Sequence, residues 1–540
     1  MSVKSLILAV VFLVSLNSIS DHDTGYHLAN GKYIVNSGNI PTQDIFSYTE
    51  KGSLWINHYW LSDSLFYLIY LLSGTWGLII GCGLIAVLTY LFIFKIYELN
   101  NSPGYYFYSG LILIFIMLTG ELWVVRPQIF TYLMLALCIF LLEKWRQTGN
   151  AKSLLFIPPL FLIWGNMHAG VISGMGILLI YLAGRSFSKK LEIKKEFLPI
   201  LGGLILPFLN PNSYKTIFYN SYIGDAVKKM VTAEWLSILN YLDSWQSFSF
   251  LAILAILTLI ILKDFFLEKA WLRSEEYPPV ILSLIGFALP FYSIRHVGLA
   301  PILYSPAISK IFLKYENKLS EDSRYKAKQL MVLFSCLLVL GFSFRVIKMP
   351  PINTNALPVG AANYIIKNNI SGKGFAPDNF GGMLAWKLWP SQEIFADGRS
   401  ELFGGKTGDE LICIMTNNNC NRLVLIEDKY SFNYLVLQQS GYYRQMSLGL
   451  YRELVEKGKY FLVHWDDGAI VLLKNSPENE NLIRRDAYFI INPFITTYPE
   501  ITEEEYKIVM NEIYKAIKRE PASVQINNLA KLFYDNRKNQ

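Results

Sequence analysis

Over its first two thirds the chain alternates apolar runs with short polar breaks, and it then loses that pattern. Apolar segments fall at 4–20, 76–96, 106–121, 128–143, 154–165, 170–184, 197–209, 247–262, 279–294, 297–313 and 329–346. One helix needs about 20 apolar residues to cross a bilayer, so the pattern predicts about eleven transmembrane helices. Trp55–Leu72 is apolar and aromatic but holds Asp63 and Ser64, which predicts an amphipathic helix lying in the membrane interface. After Pro350 the texture is that of a soluble domain. Ala361–Lys367 reads as helix, and Glu393–Ala396 and Arg422–Ile426 read as short strands. Phe461–Trp465 and Ala469–Leu473 flank Asp466-Asp467-Gly468, a hairpin signal, and 502–519 reads as a charged amphipathic helix. The expected division is a mostly α-helical membrane domain over 1–348, with a first outer loop and interfacial helix at 21–75, and a smaller α/β domain over 349–540.

Composition agrees. Of 540 residues, 52% are hydrophobic and 17% charged, with a mean hydropathy of +0.30. Soluble chains average about 25% charged, so an ordinary cytosolic enzyme is excluded. The net charge of +7 is not a nucleic-acid signal, because the basic residues sit between apolar runs. Arg185, Lys189, Lys190, Lys194 and Lys195 form one group, and Lys314, Lys318, Arg324, Lys326 and Lys328 another. This asymmetry predicts a multi-pass protein of the cytoplasmic (inner) membrane, with the N-terminus inside and 349–540 outside. A cleaved signal peptide over 1–20 is the other reading of the first segment and leaves the later topology unchanged. Cys82, Cys138 and Cys336 lie in apolar runs. Cys413 and Cys420 fall on the oxidising side, where their spacing permits a disulfide without fixing one.

Candidate chemistry concentrates in the first outer loop. Asp21 and Asp23 are two residues apart, and His27, Asp44, His58 and Trp60 follow. Two carboxylates held ~4 Å apart at an effective dielectric near 20 repel by about 4 kcal/mol, so a cation neutralises them or one is protonated. Either state suits a general base. A divalent cation, Mg or Mn, held by Asp21 and Asp23 is one expectation, and simple capping of the loop is the competing one. Arg126, His168, Glu234, Arg295 and His296 also stand beside apolar runs, all on the side predicted to be outside. A charge at membrane depth costs about 2.5–3.5 kcal/mol on insertion scales, so such residues face a cavity or a partner. Together they suggest an outward-facing pocket for an anionic lipid-linked group.

Asp21–Tyr48, with Asn57-His58-Tyr59-Trp60-Leu61, resembles the first periplasmic loop of bacterial GT-C-fold membrane glycosyltransferases, the superfamily of mannosyltransferases and aminoarabinose transferases. Arg126-Pro127-Gln128, Trp164–Gly170, Asn210-Pro211, Glu234-Trp235 and Arg295-His296 fit in order and spacing. Asn379–Leu384 and Asp397-Gly398-Arg399 resemble the soluble domain of one branch, although Gly25-Tyr26 stands where that branch often has paired aromatics. The resemblance implies transfer of a sugar from a polyprenyl-phosphate carrier to a lipid, glycan or protein acceptor. It implies Asp23 as base and Asp21 as its partner or a metal ligand. Arg126, Arg295 and His296 would hold the donor phosphate, and His27, Asp44, His58, Trp60, His168 and Glu234 would line the acceptor side. Two rival classes are a lipid or solute transporter and a noncatalytic envelope scaffold. The polar first loop and the large outer domain favour the enzyme, since transport requires neither.

Overall fold

The chain is described from a computed structural model, which covers residues 2–99, 106–188, 192–217, 233–417, 420–441, 443–495 and 501–538. Lys189 and Lys190, and part of the 210–246 loop, lie outside the described residues. Every one of the eleven apolar segments carries a helix. They are α1 (Val3–Ser15), the second half of α3 (Trp60–Glu98), α4 (Tyr106–Thr119), α5 (Gln128–Thr148), α6 (Ile157–Met167) and α7 (Val171–Ser188). Then come α8 (Leu198–Ile205), α9 (Trp245–Leu267), α10 (Tyr277–Tyr292), α11 (Ala300–Asn317) and α12 (Glu321–Lys348). Among the described residues, five helices are long and apolar enough to cross a membrane, and four further apolar helices are shorter. Ion pairs join helix ends that the charge pattern assigns to the cytoplasm. Lys4 meets Glu98 at 2.6 Å, Lys310 meets Glu276 at 2.9 Å, and Lys314 meets Asp264 at 2.5 Å. Leucines on the outer faces of α9 and α12, such as Leu259, Leu333 and Leu337, are more than half exposed, as a lipid-facing surface requires.

The helix expected over 55–72 begins at Trp60 instead, and α3 breaks at Gly74, where φ is 61°. Trp55 does not join it because its ring is buried against the Arg399 guanidinium, 4.6 Å from its centroid. The helix α2 (Thr24–Ser37) lies between α1 and α3 in sequence and was not anticipated.

Four strands form one mixed sheet in the order β1-β2-β4-β3. β1 (Gly374–Phe375) runs parallel to β2 (Tyr434–Gln438), while β4 (Ala469–Lys474) pairs antiparallel with β2 and with β3 (Tyr460–Trp465). The expected hairpin is therefore present. Asp466 Oδ1 closes its turn by accepting from the Gly468 and Ala469 N–H groups, both at 2.8 Å. All of β2 and nearly all of β4 are buried, which is why β2 reads as a continuous apolar run rather than an alternation. Two expected strands are absent. Residues 422–426 are helical, since the four-residue apolar run 423–426 does not distinguish strand from helix. Residues 393–396 form an extended loop whose Ile394 bridges Ser47 of the first outer loop instead of joining the sheet. The helix expected over 502–519 is found at Glu503–Arg519, with a capping box between Thr502 and Glu505. Cys413 and Cys420 are joined in a disulfide.

The apolar core around this sheet also takes in Tyr26, Phe46, Trp55 and Tyr59 of the first outer loop. The contact is close. A Cβ on Gly25 would lie 2.3 Å from the Gly382 carbonyl oxygen, so α2 can cross α13 (Asp378–Leu388) at this distance only with glycine on both sides.

Candidate active site

Two adjoining cavities share a wall, and the smaller also touches the segment 398–401. The larger, about 180 Å³, is lined by His58, Thr131, Tyr132, His168, Arg295 and His296, among others. The smaller, about 100 Å³, is lined by Asp23, His27, Arg126, Glu234, Arg399 and Glu401, among others. His58, Gln128, His168, Trp235 and Arg295 belong to both walls.

Arg126 is the hub of the smaller cavity. Its position follows from local structure. Pro127 caps the start of α5 immediately after it, and Thr24 Oγ1 donates to the Val125 carbonyl at 3.2 Å, tying the start of α2 to this loop. Three edges of its guanidinium then meet three carboxylates. Nε donates to Asp21 Oδ1 at 2.8 Å, Nη1 to Glu234 Oε2 at 2.6 Å, and Nη2 to Asp23 Oδ2. Asp21 Oδ1 also accepts from the Asp23 N–H at 2.9 Å, which is the loop-capping contact expected of Asp21. Glu234 extends the network to Arg295 at 3.4 Å, and the Arg295 guanidinium stacks 5.3 Å from the Trp235 ring centroid. Ser293 Oγ donates to the Glu234 carbonyl at 2.7 Å and fixes that turn against the Arg295 loop.

Burial and charge divide the carboxylates. Burial pushes the Asp23 carboxyl up to about 7, against the pull of Arg126 and with help from Asp21 and Glu234. Burial would also raise Glu234, but Arg126 and Arg295 overturn it and hold that carboxyl down at about 2. Burial thus favours the protonated form of Asp23, while the two arginines favour the ionised form of Glu234. The two shared histidines are neutral. Burial lowers His58 to about 3 and places His168 well below the usual imidazole range. His58 Nδ1 donates to the Ile56 carbonyl at 3.2 Å, leaving Nε2 as acceptor. His168 Nδ1 accepts from the Gly170 N–H at 3.0 Å, which leaves its proton on Nε2.

The remaining expected residues sit at one remove. His27 lines the smaller cavity but is fixed by a buried 2.7 Å contact with Asp63, which also accepts from Asn30 at 2.6 Å. Trp60 Nε1 donates to Asn166 Oδ1 at 3.0 Å and lines neither cavity. Asp44 lines neither cavity. It pairs with Arg399 at 2.8 Å, and Arg399 is also held by Asp397 at 2.7 Å, with all three side chains fully buried. His296 lines the larger cavity, and its Nδ1 has no hydrogen-bond partner among the described residues. The cation expected on Asp21 and Asp23 finds no ligand set: among the described residues, no three His, Cys, Asp or Glu side chains are arranged to hold a metal ion. Sequence reasoning assigned no site role to Gly398, Arg399 or Glu401. Gly398 is packed so tightly on the cluster that a Cβ there would lie 2.3 Å from Asp23 Oδ1. The signal was the charged Asp397-Gly398-Arg399 triplet straight after an apolar run.

No family model matches the chain, and no curated protein matches its sequence. Solved structures do match its fold. AglB, the oligosaccharyltransferase of the archaeon Archaeoglobus fulgidus, solved with an inhibitory peptide and a dolichol-phosphate, aligns with a TM-score of 0.56 at 12% identity, over 96% of this chain and 84% of that one. The Archaeoglobus fulgidus oligosaccharyltransferase in complex with Zn and sulfate aligns at 0.53 and 13%, over 95% and 82%. ArnT of Cupriavidus metallidurans bound to undecaprenyl phosphate gives 0.47 and 10%, over 87% and 97%. At nearly full length on both sides, the chain shares the GT-C fold of the archaeal oligosaccharyltransferase.

Proposed function

We propose that the chain is a membrane glycosyltransferase that moves a sugar from a polyprenyl-phosphate-linked donor to an acceptor on the outer side of the cytoplasmic membrane. The observation that carries the reading is Asp23: a carboxyl raised to about 7, at the wall of a polar cavity, one shared wall away from Arg295 and His296. In the reaction an acceptor hydroxyl oxygen attacks the anomeric carbon and its proton passes to Asp23. The bond from that carbon to the phosphate oxygen breaks, and the electron pair leaves with the polyprenyl phosphate. Arg295 and His296 stabilise the charge on that phosphate, with Arg295 leading because Arg126 is already engaged by three carboxylates. Asp21 and Glu234 position Arg126, and His58 and His168 face both substrates. His27, Trp60 and Asp44 support the loop that carries them. The dolichol-phosphate held by the archaeal oligosaccharyltransferase of the same fold supports a polyprenyl carrier. The proposed division is a catalytic membrane domain at 1–348, crossing about eleven times, and an outer domain at 349–540 that closes the acceptor side.

The test is release of polyprenyl phosphate from a polyprenyl-phosphate-linked sugar by detergent-purified protein supplied with envelope extract as acceptor. Asp23→Asn keeps the size of the side chain and cannot take the proton. Loss of a general base typically costs about 10²–10⁴-fold in rate. A folded Asp23→Asn protein that turns over donor at the wild-type rate would overturn the assignment.

A further inference from the structure

A third cavity, about 360 Å³, lies within 349–540 and shares no lining residue with the two beside Asp23. Local structure builds its walls. Asp467, in the turn between β3 and β4, accepts from the Val524 and Gln525 N–H groups, both at 2.9 Å, and so caps the helix Val524–Lys538. Asn528, Leu529 and Leu532 follow Gln525 by three, four and seven residues, which puts all four on one helix face, and all four line the cavity. Gln439 Nε2 donates to the Pro493 carbonyl at 3.1 Å and to Gln525 Oε1, joining this helix to the wall at Pro493. The last residue of β3 contributes Trp465, and the first turn of the helix Arg444–Val455 contributes Arg444.

The polar part of this lining consists of donors that lack acceptors. Trp465 is 2% exposed, and its Nε1–H has no partner among the described residues. Among the same residues the Arg444 guanidinium forms no ion pair, and it lies 5.6 Å from the Phe494 ring centroid. Native structures rarely leave a buried donor unpaired, so the cavity calls for an acceptor. One positive charge beside neutral indole and amide donors matches a monoanion, whereas a phosphate dianion would keep a charge uncompensated. The forked guanidinium suits a carboxylate. Pro493, Ile495, Leu529 and Leu532 make the rest of the wall aliphatic, which suits a carbon body behind that carboxylate. We propose that this cavity binds a small organic monocarboxylate, with its carboxylate on Arg444 and the Trp465 N–H and its carbon body on the aliphatic wall. Acylated amino acids and sugar acids share this chemistry, and separate probes tell them apart. The inference does not rest on the proposed transfer, and its readout is binding, so either reading can fail alone.

The experiment is a saturation-transfer NMR titration of detergent-purified full-length protein with N-acetyl-leucine, glucuronate and the uncharged N-acetyl-leucine amide, each alone. Wild-type protein is expected to bind N-acetyl-leucine, glucuronate or both at millimolar concentration, and the one bound more tightly identifies the source. The uncharged amide should bind about tenfold more weakly than N-acetyl-leucine, as loss of a charge-assisted pair implies. Inorganic phosphate added as competitor should displace neither carboxylate. Arg444→Gln should weaken carboxylate binding about tenfold or more. Asn528 is exposed, so Asn528→Trp should fold normally, fill the cavity and abolish binding. Failure of both carboxylates to bind wild-type protein overturns the proposal. So does displacement by phosphate, or binding to folded Arg444→Gln and Asn528→Trp proteins that equals wild type. Equal binding of N-acetyl-leucine and its amide overturns it too, and that arm decides even if a variant fails to fold.

Discussion

At the scale of single residues, the raised Asp23 carboxyl sets two pH dependences. The proposed base role requires the deprotonated form, so donor turnover should rise about tenfold per pH unit up to about 7 and then level, and Asp23→Asn should flatten the profile. Stability follows the opposite sense. Between 3.8 and about 7 the folded protein keeps a proton that the unfolded chain has released, so this group lowers stability as pH rises through that window. Glu234 works in another window: with its carboxyl held at about 2 instead of 4.5, it contributes stability above 4.5 that is lost as pH falls toward 2. Melting curves of wild type, Asp23→Asn and Glu234→Gln across pH 3–8 separate the two. Arg295 is the second residue-scale case. Lys keeps the charge but loses the forked donor and the flat face that stacks on Trp235. Arg295→Lys should raise KM for the lipid-linked donor about tenfold or more, the loss of about 1.4 kcal/mol of phosphate binding. Equal KM values for Lys and Arg would refute a bidentate role.

At the scale of elements, the decisive contact is the loop at Gly398 against the loop at Asp23. Ala at 398 would force its Cβ to within 2.3 Å of Asp23 Oδ1, so the Asp23 carboxylate or one of the two loops must shift. Displacement of a reacting group by about 1 Å can cost roughly 10²-fold in rate. Gly398→Ala is therefore expected to cut turnover by about that factor while leaving helix content intact by circular dichroism. The same region shows what the sequence could and could not yield. Asp21, Asp23, Arg126, Glu234 and Arg295 stood out because charge beside apolar runs demands a partner, and they do meet one another. Asp44 gave no such clue: its partner Arg399 lies 355 positions away, and only folding brings them together. Likewise β2 was missed because its apolar run lacks a period, and 422–426 was misread for the same reason. The hairpin was legible because its turn chemistry is local.

At the scale of the whole molecule, orientation is the open prediction. The basic clusters place Lys326 inside and Ser476 outside. Alkaline phosphatase fused after Ser476 should be active and a fusion at Lys326 inactive; the reverse pattern would put the cavities on the wrong face for the proposed acceptor. One feature of the architecture also bears on how the protein is made. Trp55, Phe46 and Tyr59 lie in a core completed by chain that follows α12, and Asp44 waits for Arg399. From Trp60 to Arg399 is 339 residues, 399 minus 60. At a synthesis rate of about 5–20 residues per second, that interval lasts roughly 20 to 70 s. Throughout it the loop that carries Asp23 lacks its apolar cover, and Asp44 lacks its counter-charge. The cluster around Asp23 therefore reaches its folded surroundings only after α12 has been made and the segment at 398–401 has packed back onto the start of the chain.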